Sequence, residues 1–215
     1  MSAAAIAESA QSAEFAGLAE LAELAELAQR VRPVTLVGQH CLPLAAGLAE
    51  LGPIRQGTIV EVVGPSLVLR LLAGPTAAGS WTALVGAPEL NLAAAPEHGV
   101  ALERVAVITA PPSDLAGSVV AALVDALTLV ALGPAVVQSL RGPVARRLSA
   151  RARERGCVVL SMGAWPEPAD RRLSVTDLAW EGLGHGWGHL RAGTMVVHSE
   201  GRGAAARPAS YRLAG

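Results

Sequence analysis

Lysine is missing from this 215-residue chain: all 17 basic residues are arginine. That removes the ammonium group which a phosphate-binding loop sets against the β- and γ-phosphates of a nucleotide. Aromatic residues amount to 3%, with one Phe, one Tyr and four Trp, so a core has to be built from Leu, Val and Ala. The abundance of Ala, Gly and Pro beside arginine points to a GC-rich genome. Only two cysteines occur, Cys41 and Cys157, far apart and each in or beside an apolar run. They exclude a disulfide scaffold and suggest buried free thiols in a reducing compartment. No basic stretch followed by an apolar one opens the chain, so a secretory leader is not expected. The longest apolar run, Val119 to Val137, is nearly long enough to span a bilayer. Asp125 interrupts it and Gly133-Pro134 breaks it, which fits a helix followed by a buried strand. A cytoplasmic chain without membrane contact is expected.

Charge is unevenly spread beneath a net value of −1. Residues 1–140 carry 5 Arg and 12 acidic residues, a balance of −7, whereas residues 141–215 carry 12 Arg and 6 acidic residues, a balance of +6. The basic end suits nucleic acid or an acidic partner, or simply a solvated arginine face.

Residues 1–32 contain the repeat LAELAELAELA, rich in helix formers, and are expected to form an N-terminal helix closed by Arg32-Pro33. Its leucines, Leu18, Leu21, Leu24 and Leu27, follow Phe15 at a period of three. Each step falls about 60° short of a full turn, so the apolar stripe winds around the helix and cannot sustain a long coiled coil. Packing over a few turns, on the domain or on a second copy, fits better, and Phe15 with these four leucines forms the candidate self-association surface.

From Pro33 to residue 200 the pattern is that of one α/β domain. Strands are expected at Ile59–Val63, Trp81–Val85, Val105–Thr109, Thr128–Leu132 and Val158–Leu160. Helices are expected at Leu44–Leu51, at Leu67–Ala73, from an N-cap at Ser113-Asp114 to Ala126, and at Pro143–Arg155, ended by Gly156. Strands separated by helices indicate a parallel sheet with right-handed crossovers. Leu173–Trp180 and Leu190–Ser199, on either side of GLGHGWGH, suggest an antiparallel hairpin at the sheet edge. Residues 201–215 are Gly/Ala/Arg-rich and suggest an irregular tail.

The stretch GTIVEVVGPSLVLRLL, Gly57 to Leu72, places a strand, Gly64-Pro65 and a helix where a phosphate-binding loop would stand. Such a loop needs several glycines, a Lys and a Ser/Thr for magnesium. Only Ser66 lies between Gly64-Pro65 and the helix. The helix start remains a weak attractor of anions at most.

The segment LAAGLAELGPIRQGTIVEVVGPS resembles the entry to the RecA core, where a Gly-bounded strand precedes the phosphate loop. On that resemblance the glycine-lysine-threonine portion is deleted. Gly133 stands where an Asp should hold the Mg²⁺-bound water. Glu89, in GAPELN, lies near the place of the family's catalytic glutamate, and one carboxylate does not make an ATPase. Among RecA-like proteins without ATP machinery, residues Leu44 to Pro208 resemble the actinobacterial ImuA′ family. The carrying residues are WEGLGHGWGHLR, Trp180 to Arg191, followed by GRGAAARP, Gly201 to Pro208. The resemblance implies a RecA-like, mostly parallel sheet flanked by helices, with no cofactor and no catalysis. It implies a role in damage-induced mutagenesis: binding ImuB, a Y-family polymerase homologue, through the C-terminal part, and thereby bringing an error-prone C-family polymerase to lesions. The partner-binding residues are then Trp180, Trp187, Arg191, Arg202 and Arg207, with Trp165 near the same basic end; Trp and Arg are enriched in interface hot spots. A RecA-type N-terminal helix can dock on the next protomer, which is the expected use of Phe15 to Leu27 in a homo-oligomer.

Other chemistry finds less support. His185 and His189 are four apart, but three glycines in that stretch oppose a helix and no further ligands are near, so a metal is not expected. Ser66, Ser113, Ser161 and Ser174 lack a nucleophile-elbow setting. The alternatives are a RecA-like protein acting directly on DNA or on RecA filaments, and a regulator with residual nucleotide binding. Against strong DNA binding, the arginines are dispersed and no aromatic stacking platform is evident.

Overall fold

The structure, a computed structural model, describes residues 41–184, 187–201 and 209–214. The expected N-terminal helix, with Phe15, Leu18, Leu21, Leu24 and Leu27, lies outside the described residues.

One eight-stranded sheet organises the described chain, in the order β3-β2-β4-β5-β1-β6-β7-β8. Its strands are β1 Ile59–Val63, β2 Thr82–Val85, β3 Val105–Ile108, β4 Leu129–Leu132, β5 Val158–Ser161, β6 Arg171–Gly184, β7 Trp187–Gly201 and β8 Ala209–Ala214. Strands β1 to β6 run parallel, and β7 and β8 add antiparallel. This is the RecA-like, mostly parallel α/β architecture with an antiparallel C-terminal hairpin. The residues of β2, β4 and β5 are buried throughout, because helices cover both faces.

Helix α1 (Pro65–Ala77) covers one face. Its Leu67, Val68, Leu71 and Leu72 pack against Val60, Val62, Leu84 and Leu160, and the same core takes in Met195 and Val197 of β7. Helices α2 (Ala116–Ala126), α3 (Pro134–Ser139) and α4 (Gly142–Arg155) cover the other face. There Val120, Val124, Leu148 and Ala152 meet Ile59, Val85, Val130 and Val159. Period-two alternation along each strand thus feeds two separate apolar layers.

Several elements depart from the sequence reading. The expected helix at Leu44–Leu51 is a six-residue 3-10 turn, Ala46–Leu51. Ser113-Asp114 does not cap α2: the helix begins at Ala116 after Leu115, without a side-chain cap. The Pro112 carbonyl accepts from both Leu115 and Ala116 N–H, so a backbone turn does the work of the cap. Gly133-Pro134 closes β4 after Leu132 as expected, but it also starts α3, a helix not expected there, with Pro in the first turn where its missing N–H costs nothing. The stretch after Gly201 is not wholly irregular: Ala209–Ala214 forms β8, pairing with β7 from Thr194 to Ser199. The hairpin β6–β7 therefore lies inside the sheet, and β8 takes the edge.

Buried Arg171 fastens this side of the sheet. Its Nε donates to Ser199 Oγ at 2.8 Å, and its guanidinium also donates to the Leu51 carbonyl at the end of the 3-10 turn. Asp170 closes the start of β1, accepting from Ile59 N–H at 2.9 Å while donating its own N–H to Ile59 O.

Candidate functional site

Two regions could carry function: the carboxyl ends of β1, β2 and β4, where open α/β sheets bind ligands, and the surface between α2 and α4. At the first, β1 reaches α1 through a single residue, Gly64 (φ 129°). Of the first-turn residues, Pro65 has no amide hydrogen, and the amides of Leu67 and Val68 both donate to Gly64 O. That leaves Ser66 N–H alone, where a phosphate cradle needs several converging amides. The Val175 Cγ2 methyl stands 2.6 Å from where a Cβ on residue 64 would lie, so an apolar side chain lines this turn.

The end of β4 is closed more firmly. A Cβ on Gly133 would lie 1.8 Å from Gly86 O and 2.5 Å from the Gly86 carbonyl carbon. The backbone after β2 occupies the place of any side chain there, so an Asp at 133 cannot coexist with this backbone. Glu89 lies solvent-exposed in the loop after β2. Glu61 is near the centre of β1, but its Oε1 accepts from Trp165 N–H (2.9 Å) and its Oε2 lies 3.4 Å from Arg172. The residues present do not fit a magnesium nucleotide.

The second region is a groove of about 630 Å³ between α2 and α4. Leu140, Val144, Leu148 and Ala121 supply its apolar lining; Arg141, Arg147 and Arg151 its cations; Asp114 its carboxylate. The arginines of α4 divide into two sets. Arg146 pairs with Glu167 (2.9 Å), Arg153 with Asp170 (3.5 Å), and Arg151 and Arg155 share Asp125. The Arg151 hydrogen bond, with the two guanidinium charges, holds the Asp125 carboxyl below its ordinary range despite partial burial. Arg141 and Arg147, both exposed, have no carboxylate partner among the described residues. Arg147 Nε donates back to the Pro143 carbonyl at 3.3 Å.

Residues 46–167, more than half of the chain, match the MT3502 N-terminal domain. The chain belongs to this family. Its match to the MT3502 N-terminal domain takes in β1 to β5, both closed strand ends and the groove, and stops before the hairpin. The uncharacterized protein Rv3395c of Mycobacterium tuberculosis (strain ATCC 25618 / H37Rv) is 38% identical over 139 residues, which cover 63% of this chain. The aligned part spans 60% of that relative's length.

The partner-binding candidates lie beyond the MT3502 N-terminal domain. Trp180 belongs to β6, and Trp187 and Arg191 to β7; the backbone pairs Trp180 with Gly193 and Gly184 with Trp187. Only the strand positions of these three belong to the described structure. Arg202 and Arg207 lie outside the described residues, as does His185. Trp165 does not join this surface: it is buried, donating Nε1–H to Ser149 Oγ at 3.1 Å. Sequence reasoning marked 143–155 as an Arg-rich helix but missed the groove. The available signal was the Gly117/Ala121 pair of small residues on the facing helix, where a Cβ on Gly117 would lie 2.8 Å from Val144 Cγ1.

Proposed function

We propose that this chain is an ImuA′-type accessory protein, a non-catalytic adaptor of an error-prone translesion-synthesis assembly in the DNA damage response. It works in the cytoplasm, binding an ImuB-like Y-family polymerase homologue and through it an error-prone C-family polymerase. The observation that carries this reading is the double closure of the nucleotide position on a RecA-like sheet. One residue joins β1 to α1, and the Gly86 carbonyl fills the space beside Gly133. A RecA-like frame that has given up its phosphate loop and its metal carboxylate is left with surfaces as its means of action.

The partner surface in this reading is the outer hairpin with Trp180, Trp187 and Arg191, continued by Arg202 and Arg207; Phe15 to Leu27 serve self-association. The test is co-purification with the ImuB-like protein of the same genome. Because a chain stopped before Gly201 would also lose β8, the informative variant is Trp187→Ser with Arg202→Glu and Arg207→Glu. Capture by the native chain and loss in this variant, both folded, is the expected result. No capture by folded native protein would remove the adaptor reading.

Direct action on DNA or RecA filaments is the second reading, favoured by the +6 balance of residues 141–215. Four of the five arginines of α4 are compensated by Asp125, Glu167 and Asp170, which lowers the charge available to phosphates. This reading requires oligonucleotide affinity that falls steeply with salt.

A further inference from the structure

We propose that the groove between α2 and α4 receives an acidic amphipathic helix of a partner protein. This second docking surface is separate from the hairpin and does not rest on the adaptor reading.

The groove has two parallel stripes. Val144 of α4 and, across from it, Ala121 of α2 are half-buried and form the apolar stripe, over the buried side chains of Leu140 and Leu148. Arg147 and Arg151, one turn apart, run beside it, with Arg141 at the near end. From Arg141 to Arg151 the wall extends about 15 Å, close to three turns of a second helix. An apolar stripe flanked by cations matches a helix with leucines on one face and carboxylates beside them, the groove-binding mode in which anchors recur every three or four residues.

The distribution of ion pairs gives the sign of the ligand. Away from the groove, Arg146, Arg153 and Arg155 each have a carboxylate of this chain. At the groove, Arg151 is paired with Asp125, whereas Arg141 and Arg147 have no carboxylate partner among the described residues, and Asp114 is the one carboxylate in the lining. No aromatic side chain lines the groove for base stacking, which argues against single-stranded nucleic acid.

The probe is a displayed library of 14-residue helices with fixed leucines at one face and flanking positions randomised among Glu, Gln and Lys, selected on the full-length chain. Enrichment of Glu is the expected result. The selected helix, made as a labelled peptide, should bind about tenfold more weakly to the double variant Arg141→Glu, Arg147→Glu, and more weakly at raised salt. Arg146→Glu, outside the groove and already paired with Glu167, should bind as the native chain does. Both variants change exposed side chains, and their melting temperatures report whether the fold is kept. Absence of Glu enrichment would overturn the proposal. So would binding untouched by the double variant, or an equal loss with Arg146→Glu. Displacement of the peptide by a 20-nucleotide single strand would reassign the groove to nucleic acid. None of these outcomes depends on ImuB capture, so either reading can fail alone.

Discussion

Replacing Gly133 with alanine tests the close approach on which the functional reading depends. The backbone at Gly133 has φ −66° and ψ 160°, accessible to any residue, so the cost is steric and not conformational. The added Cβ would stand 1.8 Å from Gly86 O, and contacts below 3.0 Å are essentially unknown for Cβ atoms. One backbone must therefore move by at least 1.2 Å, the difference between those two distances. Both are held by bonds that continue the parallel ladder: Gly133 N–H to Val85 O and Gly86 N–H to Ile108 O, each 2.8 Å. Overpacking of this kind costs about 1–3 kcal/mol, and losing one ladder bond adds about 1 kcal/mol. The sum, about 2–4 kcal/mol, corresponds to a fall of roughly 4–16 °C in Tm for a chain of this size. The control is Gly163→Ala, whose Cβ would meet its nearest neighbours at 3.7 Å. Melting followed by far-UV circular dichroism decides the matter. If Gly133→Ala melts within about 2 °C of Gly163→Ala, the β2 and β4 ends are not in contact and the closure argument falls.

Three further outcomes follow from the packing. Glu61→Ala should cost about 1–3 kcal/mol by stranding the Trp165 amide hydrogen in a buried setting, while Glu61→Gln, which keeps an acceptor, should cost much less; denaturant titration separates them. Native protein should alkylate at half-buried Cys41 and spare Cys157, whose thiol is fully buried with its pKa pushed up by desolvation and then by Asp125; both should react in denaturant, as read by mass spectrometry. Asp125 is held ionised by Arg151 and Arg155, so its stabilisation is present above its ordinary value of 3.8 and is lost as pH falls below it. Asp125→Asn should therefore flatten the acid limb of the melting curve and converge with the native chain at low pH.

The parallel core was legible because buried strands and covering helices leave distinct marks. Ile59–Val63 agrees residue for residue, and Pro143–Arg155 within one residue. β8 was not legible, since its partner is β7 and nothing in ASYRLA alone specifies a strand against it. Nor was the compensation of the arginine helix. Its carboxylates come from α2 and from the turn before β6, at Asp125, Glu167 and Asp170, and meet α4 only after the sheet has brought those segments together. The absence of a Lys and of an acid at position 133 was visible in the sequence. The backbone filling that place was not, because a glycine in sequence does not say what stands where its side chain would be.

The strands of this sheet differ in length: β2 to β5 have four residues each, whereas β6 and β7 have 14 and 15. Beyond Ser174 β6 leaves β1, and from Trp180 to Gly184 it is paired with β7 alone. That outer segment is free to vary in extent without disturbing the layers beneath it, which makes the hairpin an arm whose reach can be set independently of the body. The units of change are unequal. Removing two residues from each strand shortens the arm by roughly 7 Å and keeps every side chain on its face, while removing one from each reverses inner and outer faces beyond the cut. Lineages carrying this arm should accordingly differ in its length by even steps per strand, save where a bulge such as that between Val175 and Asp177 absorbs an odd one.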